Sequence, residues 1–258
     1  MDTDSTAKRA ADIAPVAALL ADRTRARIIA ALVDGRALPA SVIAQESGVS
    51  ASTTSEHLAR LVTGGLLHVE PSGRHRYYRL AGPDVAAAVE ALAVIAPQPP
   101  VTSLRESTRA AAMRRARTCY DHLAGRVGVG LMQAFVDRGA LVRVDGRAGT
   151  LPHSADRSAA PARTEPYALG PHAAEVFDGT GVELDALLHR PAGARPLLRF
   201  CVDWSEQRHH LAGALGAAVL DRALQAGWVV RRPNGRAVDV TDAGQRALRQ
   251  SLGLQDVA

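Results

Sequence analysis

Lysine is almost absent from this chain. Lys8 is the only one in 258 residues, and arginine carries the rest of the positive charge. The bias runs through the whole sequence, so it reflects codon usage of a GC-rich genome before any mechanism. Aromatic residues amount to 3%, which leaves the cores to Leu, Val and Ala. Two cysteines, Cys119 and Cys201, exclude a disulfide framework. A signal peptide and a long apolar run are both lacking, so a soluble, cytoplasmic protein with no membrane partner is expected. No nucleotide-binding glycine loop, oxyanion-type loop or metal-hydrolase motif is found, which argues against the common enzyme classes.

What is present is enough apolar sequence, 47%, for real cores, and enough length for two domains. The net charge of +5 and a pI near 9.8 suit a polyanionic partner, although a solvated basic surface gives the same numbers. The fold class read from the pattern is mainly α with small β-hairpins (α+β). Residues 1–12 are polar. Residues 15–33 read as one helix with Leu19, Leu20, Ile28, Ile29 and Leu32 apolar. Residues 83–96 read as another, with Val85, Val89, Leu92 and Ile95 spaced as a stripe. Pro97-Gln98-Pro99-Pro100 breaks the chain. The domain expectation is therefore 1–96, a linker over 97–103, and 104–258.

Between the two helices lies the densest pattern. Ala44 is small where two helices cross, and Gly48, four residues on, can take a left-handed turn. Val49, Leu58 and Leu61 fill the space between the helices. Ser50 caps the second helix, which carries Ser52, Thr53, Thr54, Ser55, His57 and Arg60. After Gly64-Gly65, residues 66–70 and 77–80 read as strands around Pro71-Ser72-Gly73-Arg74-His75-Arg76. A helix with a short hydrogen-bonding face suits the DNA major groove, and a basic hairpin suits a phosphate backbone. Ser50, Ser52, Thr53, Ser55 and His57 are the expected base readers, and Thr54 is counted with the DNA-binding residues. Arg60, Arg74, His75, Arg76 and Tyr77 are the expected phosphate contacts.

These segments resemble the ArsR-type family of winged-helix repressors. The resemblance includes Leu20-Ala21-Asp22-Arg23-Thr24-Arg25-Ala26-Arg27-Ile28-Ile29, Leu58-Ala59-Arg60-Leu61 and Gly73-Arg74-His75-Arg76-Tyr77-Tyr78-Arg79-Leu80, and covers roughly residues 15–96. Arg23 stands where that family has proline, and Thr54 where it has an aliphatic residue. The resemblance implies a homodimer through helices 15–33 and 83–96, an inverted-repeat operator on double-stranded DNA, and repression relieved by an effector. The competing role for the 83–96 stripe is packing on the chain's own C-terminal domain. DNA binding itself calls for no cofactor.

The C-terminal part reads as an internal duplication. His122-Leu123-Ala124-Gly125 recurs as His210-Leu211-Ala212-Gly213, and Gly128, Gly139, Val142 and Arg143 recur at the same offset. Arg117-Thr118-Cys119-Tyr120-Asp121 parallels Arg199-Phe200-Cys201-Val202-Asp203. The copies span about 117–190 and 199–254, each a helix followed by a hairpin and a second helix, and so winged-helix-like in outline. Leu123 and Leu211 are expected on the helices. Asn234-Gly235 signals a tight turn, and residues 150–166 form a Pro/Ala/Arg-rich loop. The repeated glycines suit close helix crossing or backbone approach to a ligand.

Three chemistries compete in this part. If the copies face each other, Cys119, His122, Cys201 and His210 could hold Zn(II) or another thiophilic ion, or the two thiols could respond to redox change. The plainer reading is buried cysteines and helix-bracing histidines. An apolar pocket between the copies is the expected effector site, with Tyr120, His122, Phe135, Trp204 and His210 as its candidates, alongside Phe200 and Trp228. Those aromatics serve equally well as core. A thiol enzyme using Cys119 and His122 on one helix is the distant third, and no enzyme activity is expected. The run Arg105, Arg109, Arg114, Arg115 and Arg117 is either a solvated helix face or a contact to flanking phosphate.

Overall fold

The computed structural model describes residues 11–73, 75–97, 104–147, 149–152, 166–191, 193–233 and 235–254, and the side chains of all these except 104–107. Arg74, Asn234, the side chain of Arg105, the linker beyond Pro97 and most of the 150–166 loop lie outside the described residues. The chain forms two units. One joins the stretch up to Leu32 with Ala37–Ala81. The other joins Val33–Arg36 with the chain from Gly82 onward.

The first unit starts with α1 (Ala14–Leu20) and α2 (Arg23–Leu32), where the sequence suggested a single helix over 15–33. The break has a local cause. The Asp22 carboxylate accepts the Arg25 N–H at 2.9 Å and opens a new helix. Arg25 Nε donates to the Leu19 carbonyl at 2.7 Å and closes the old one. Then follow β1 (Leu38–Pro39), α3 (Ala40–Ser47), α4 (Ala51–Thr63), β2 (Leu67–Ser72) and β3 (His75–Leu80), with strand order β1-β3-β2. Ile28, Leu32, Ile43, Leu58, Leu61, Leu67 and Leu80 are essentially sealed from solvent and make the core. Gly48 sits at φ 67° and ends α3, and its N–H returns to the Ala44 carbonyl, as the spacing predicts.

The second unit contains α5 (Pro83–Ile95), α6 (Leu104–Arg115), β4 (Arg117–Cys119), β5 (His122–Ala124), α7 (Gly125–Asp137), β6 (Leu141–Arg143), β7 (Tyr167–Leu169), α8 (Ala173–Gly179), α9 (Leu184–Leu188), β8 (Arg199–Val202), β9 (His209–Ala212), α10 (Gly213–Gln225), β10 (Val229–Arg231), β11 (Val238–Val240) and α11 (Asp242–Leu252). Hairpin, long helix, hairpin and closing helix follow one another in the same order from β4 and from β8. The partners are exchanged: α7 packs on β9, α10 packs on β5, and β5 touches β9. Phe135 and Phe177, with ring centroids 4.7 Å apart, anchor the shared core.

One expectation needs correction here. Leu123 and Leu211 do not lie on the long helices. They belong to β5 and β9, and the helices begin two residues later at Gly125 and Gly213, both at φ +74°. A Cβ on Gly125 would stand 2.7 Å from the Arg114 carbonyl oxygen, and one on Gly128 would stand 2.4 Å from that of Leu123. These glycines let α7 start close against the end of α6 and against β5. Gly125→Ala combines an unfavourable φ with a backbone clash, and should cost about 3 kcal/mol or more in denaturant unfolding. A cost below about 1 kcal/mol would mean that this strand-to-helix joint is not tight.

Candidate functional site

In α4, Ser50 holds extended geometry at the N-cap and its Oγ accepts the Thr53 N–H at 3.3 Å. Ser52 and Ser55 are exposed and Thr53 half-exposed, all in the first turn and a half. The Ser55 hydroxyl donates back to the Ala51 carbonyl at 3.0 Å. Arg60 reaches Glu56 at 2.7 Å in an exposed pair that either residue can leave at little cost. Two expected DNA-binding residues do not face outward. Thr54 is completely buried, one turn before Leu58 on the inward stripe. The His57 side chain is only 12% exposed, and its Nδ1 lies 3.8 Å from Asp22. A helix can show only part of its circumference, so Thr54 and His57 face the core while Ser52 and Ser55 face outward.

The hairpin after α4 is in register from Leu67 opposite Leu80 to Ser72 opposite His75. Leu67 and Leu80 anchor its base in the core. His75 and Arg76 are exposed near the tip, and Tyr77 is half-buried against Pro39 and Glu70. Arg79 pairs with Glu70 across the strands at 2.6 Å.

In the second unit the two cysteines and two histidines meet. Cys119 faces His122 across the β4–β5 pair, and Cys201 faces His210 across the β8–β9 pair. One ligand atom from each of the four residues lies within 4.8 Å of all the others. Cys119, His122 and His210 are buried and Cys201 is half-buried. The imidazoles stack with centroids 5.1 Å apart. His122 Nδ1 is 3.3 Å from Asp121, which Arg195 holds in turn. His210 Nδ1 is 3.8 Å from Asp203. Asp203 is fully buried and accepts from Arg117 at 2.9 Å, the Gly125 N–H at 2.6 Å and the Ser205 N–H at 2.9 Å.

Charge follows from these contacts. Burial alone would raise the Asp203 carboxyl, but Arg117 and then His210 hold it well below the usual carboxylate range. Burial likewise opposes a charged His122, yet Cys119 and Asp121 beside it bring its pKa up to about 9. His210 is held well below the ordinary imidazole range by burial and by His122. The Cys119 thiol is pushed well above its usual range by its hydrogen bond with Cys201 and by burial.

A helix-turn-helix domain model matches residues 20–70. An uncharacterized HTH-type transcriptional regulator, YdfF of Bacillus subtilis (strain 168), is 38% identical over 244 residues, 95% of this chain and 98% of that one. The chain belongs to the HTH-type transcriptional regulators. A second HTH-type transcriptional regulator, from Mycobacterium tuberculosis, is 38% identical over 85 residues, covering 33% of this chain and 37% of its own. Among solved structures, the homodimeric winged helix-turn-helix DNA-binding domain of a possible ArsR-family regulator from Mycobacterium bovis is 34% identical. It covers 32% of this chain and 76% of its own, with a TM-score of 0.31.

The regulator's remaining candidates fall elsewhere. The apolar cavity between α7, α10 and α11 holds about 20 Å³, room for one water. Phe135 lines it, while Tyr120, His122, Trp204 and His210 do not. The effector candidates therefore do not share that cavity. Tyr120 turns the first hairpin at φ 57°, its N–H bound to the Val33 carbonyl at 2.8 Å. Trp204 covers the Arg117 guanidinium at 4.4 Å from its ring centroid. Among the described side chains of the basic run, Arg117 is the one that no solvated face or phosphate can explain, because it is fully buried on β4. Arg109, Arg114 and Arg115 are exposed on α6. Cys119 and His122 do not share a helix, as the thiol-enzyme reading required; they oppose each other across a hairpin. Sequence reasoning missed Arg117 and Arg195 as partners of Asp203 and Asp121. The doubled Cys-x-Asp pattern was the available signal.

Proposed function

We propose that this regulator is a homodimeric repressor of ArsR-like type that binds an inverted-repeat operator and is released by an effector held in the second unit. The observation that carries the DNA part is the outward face of α4, with Ser52, Thr53 and Ser55 beside an exposed His75 and Arg76. Short hydroxyls near a helix N-terminus can approach base edges, and the hairpin cations can fix the register on phosphates. Leu92 and Ile95 on α5, Val16 on α1 and Ile13 just before it are exposed apolar residues of the kind a second copy would cover. The reading gives Cys119 no nucleophilic role, since its hydrogen bond with Cys201 and its burial push the thiol above its usual range.

Selection of binding sites from a random duplex pool with the full chain tests this. The expected product is a palindrome with half-sites about one helical turn, 10–10.5 bp, apart. An asymmetric single site, or no enrichment, would sink the reading. Within the selected operator, Ser52→Ala and Thr53→Ala should each relax preference at one or two positions by about 1–3 kcal/mol. Arg76→Ala and Arg74→Ala should instead weaken all sequences alike and reduce the salt slope by about 1. A changed sequence preference with an unchanged salt slope would place the hairpin off the backbone.

A further inference from the structure

We propose that Cys119, His122, Cys201 and His210 form a tetrahedral site for a thiophilic d10 divalent cation, Zn(II) or Cd(II). The site belongs wholly to the second unit and does not depend on the operator or on the dimer.

Three observations carry it. Each hairpin presents one cysteine opposite one histidine, and the two hairpins bring these pairs face to face. Two thiols and two imidazoles are the donor set of structural zinc sites. Around a tetrahedral ion, bonds of about 2.0–2.3 Å set the ligand atoms roughly 3.3–3.8 Å apart. A spread of 4.8 Å closes to that with small side-chain rotations.

Second, three of the four imidazole nitrogens lack hydrogen-bond partners among the described residues. His122 Nε2 and both nitrogens of His210 are buried and make no hydrogen bond among the described residues. A buried polar atom left unpaired is costly, and here three such atoms sit on two stacked rings next to two thiols. A cation between them would engage one nitrogen of each ring.

Third, the surroundings suit metal-bound imidazole. A ligating histidine ordinarily turns its other nitrogen to a carboxylate. Asp121 stands beside His122 and Asp203 beside His210, each carboxylate held by an arginine, Arg195 and Arg117. Two thiolates would neutralise the dication in a place where free charge is expensive. Hard ions such as Mg(II) favour oxygen donors, so the donor set selects a soft cation.

The test is titration of the reduced, metal-free full chain with Co(II), followed optically. One equivalent should give the intense visible bands of tetrahedral cobalt and a thiolate charge-transfer band, and one equivalent of Zn(II) should bleach both. Cys201→Ser is chosen because Cys201 is only half-buried, and it should weaken Co(II) binding about 100-fold or more and lose part of the charge-transfer band. In the unaltered chain Zn(II) should also protect both thiols from alkylation, which does not depend on a variant folding. Pale octahedral cobalt, equal binding by Cys201→Ser, or thiols that form a Cys119–Cys201 disulfide and take up no metal even when reduced, would each overturn the proposal.

Discussion

Arg117→Met should destabilise the second unit by about 3–5 kcal/mol in urea, because it strands a carboxylate that no water reaches. Arg117 and Asp203 are both fully buried and 2.9 Å apart. Many buried ion pairs can be exchanged for apolar residues at little loss, since desolvation offsets most of the attraction. This one should not be exchangeable. Asp203 also accepts the backbone N–H groups of Gly125, Ser205 and Glu206. Taking the carboxylate away as well, in Arg117→Met with Asp203→Leu, leaves those donors orphaned, so the double variant should stay at least as unstable. Arg195→Ala is the control. It breaks a pair of the same chemistry with Asp121, but both side chains there are about a third exposed, and solvent screening should hold the loss to about 1 kcal/mol or less. Equal losses at Arg117 and Arg195 would refute the distinction by burial.

Zinc at roughly 1,000 times its dissociation constant should stabilise the second unit by about 4 kcal/mol. That is a rise of roughly 8–16 °C in its melting temperature for a unit of this size. The four ligands come from two hairpins far apart in sequence, so the ion would clamp contacts that the unfolded chain lacks. Calorimetry with and without chelator measures the shift. The transition of the first unit should not move, because none of the ligands lies in it. A second-unit shift that persists in Cys201→Ser would assign the ion to other histidines of that unit, such as the exposed His172 and His189.

The helix-turn-helix was legible because its signals are local. Gly48 at φ 67°, the Ser50 cap and the register of β2 with β3 each follow from a few neighbouring residues. Thr54 was counted with the DNA-binding residues although its spacing from Leu58 and Leu61 already placed it inside. The second unit was legible as a repeated pattern but not as a structure. Its strands at Cys119 and His122 are three residues long and meet at a tyrosine in left-handed geometry. Neither feature leaves an alternating apolar pattern. The apolar four-residue spacing of Leu123 with Val127 and Leu131 therefore read as a helix that begins too early. The burial of Arg117 was out of reach for a different reason, since its partner lies 86 residues away.

The exchanged packing of α7 on β9 and α10 on β5 bears on how the chain is made. When α7 leaves the ribosome, β9, one of the strands it packs on, has not been synthesised. Roughly 80 residues must still be added, which at about 5–20 residues per second takes some 4–16 s. For that interval the apolar face of Val127, Leu131 and Phe135 is only partly covered, since Phe177 reaches Phe135 before β9 is made. The second unit thus cannot complete its packing until its second hairpin is made, whereas the first unit, with its short-range contacts, can finish folding while the rest of the chain is still being made.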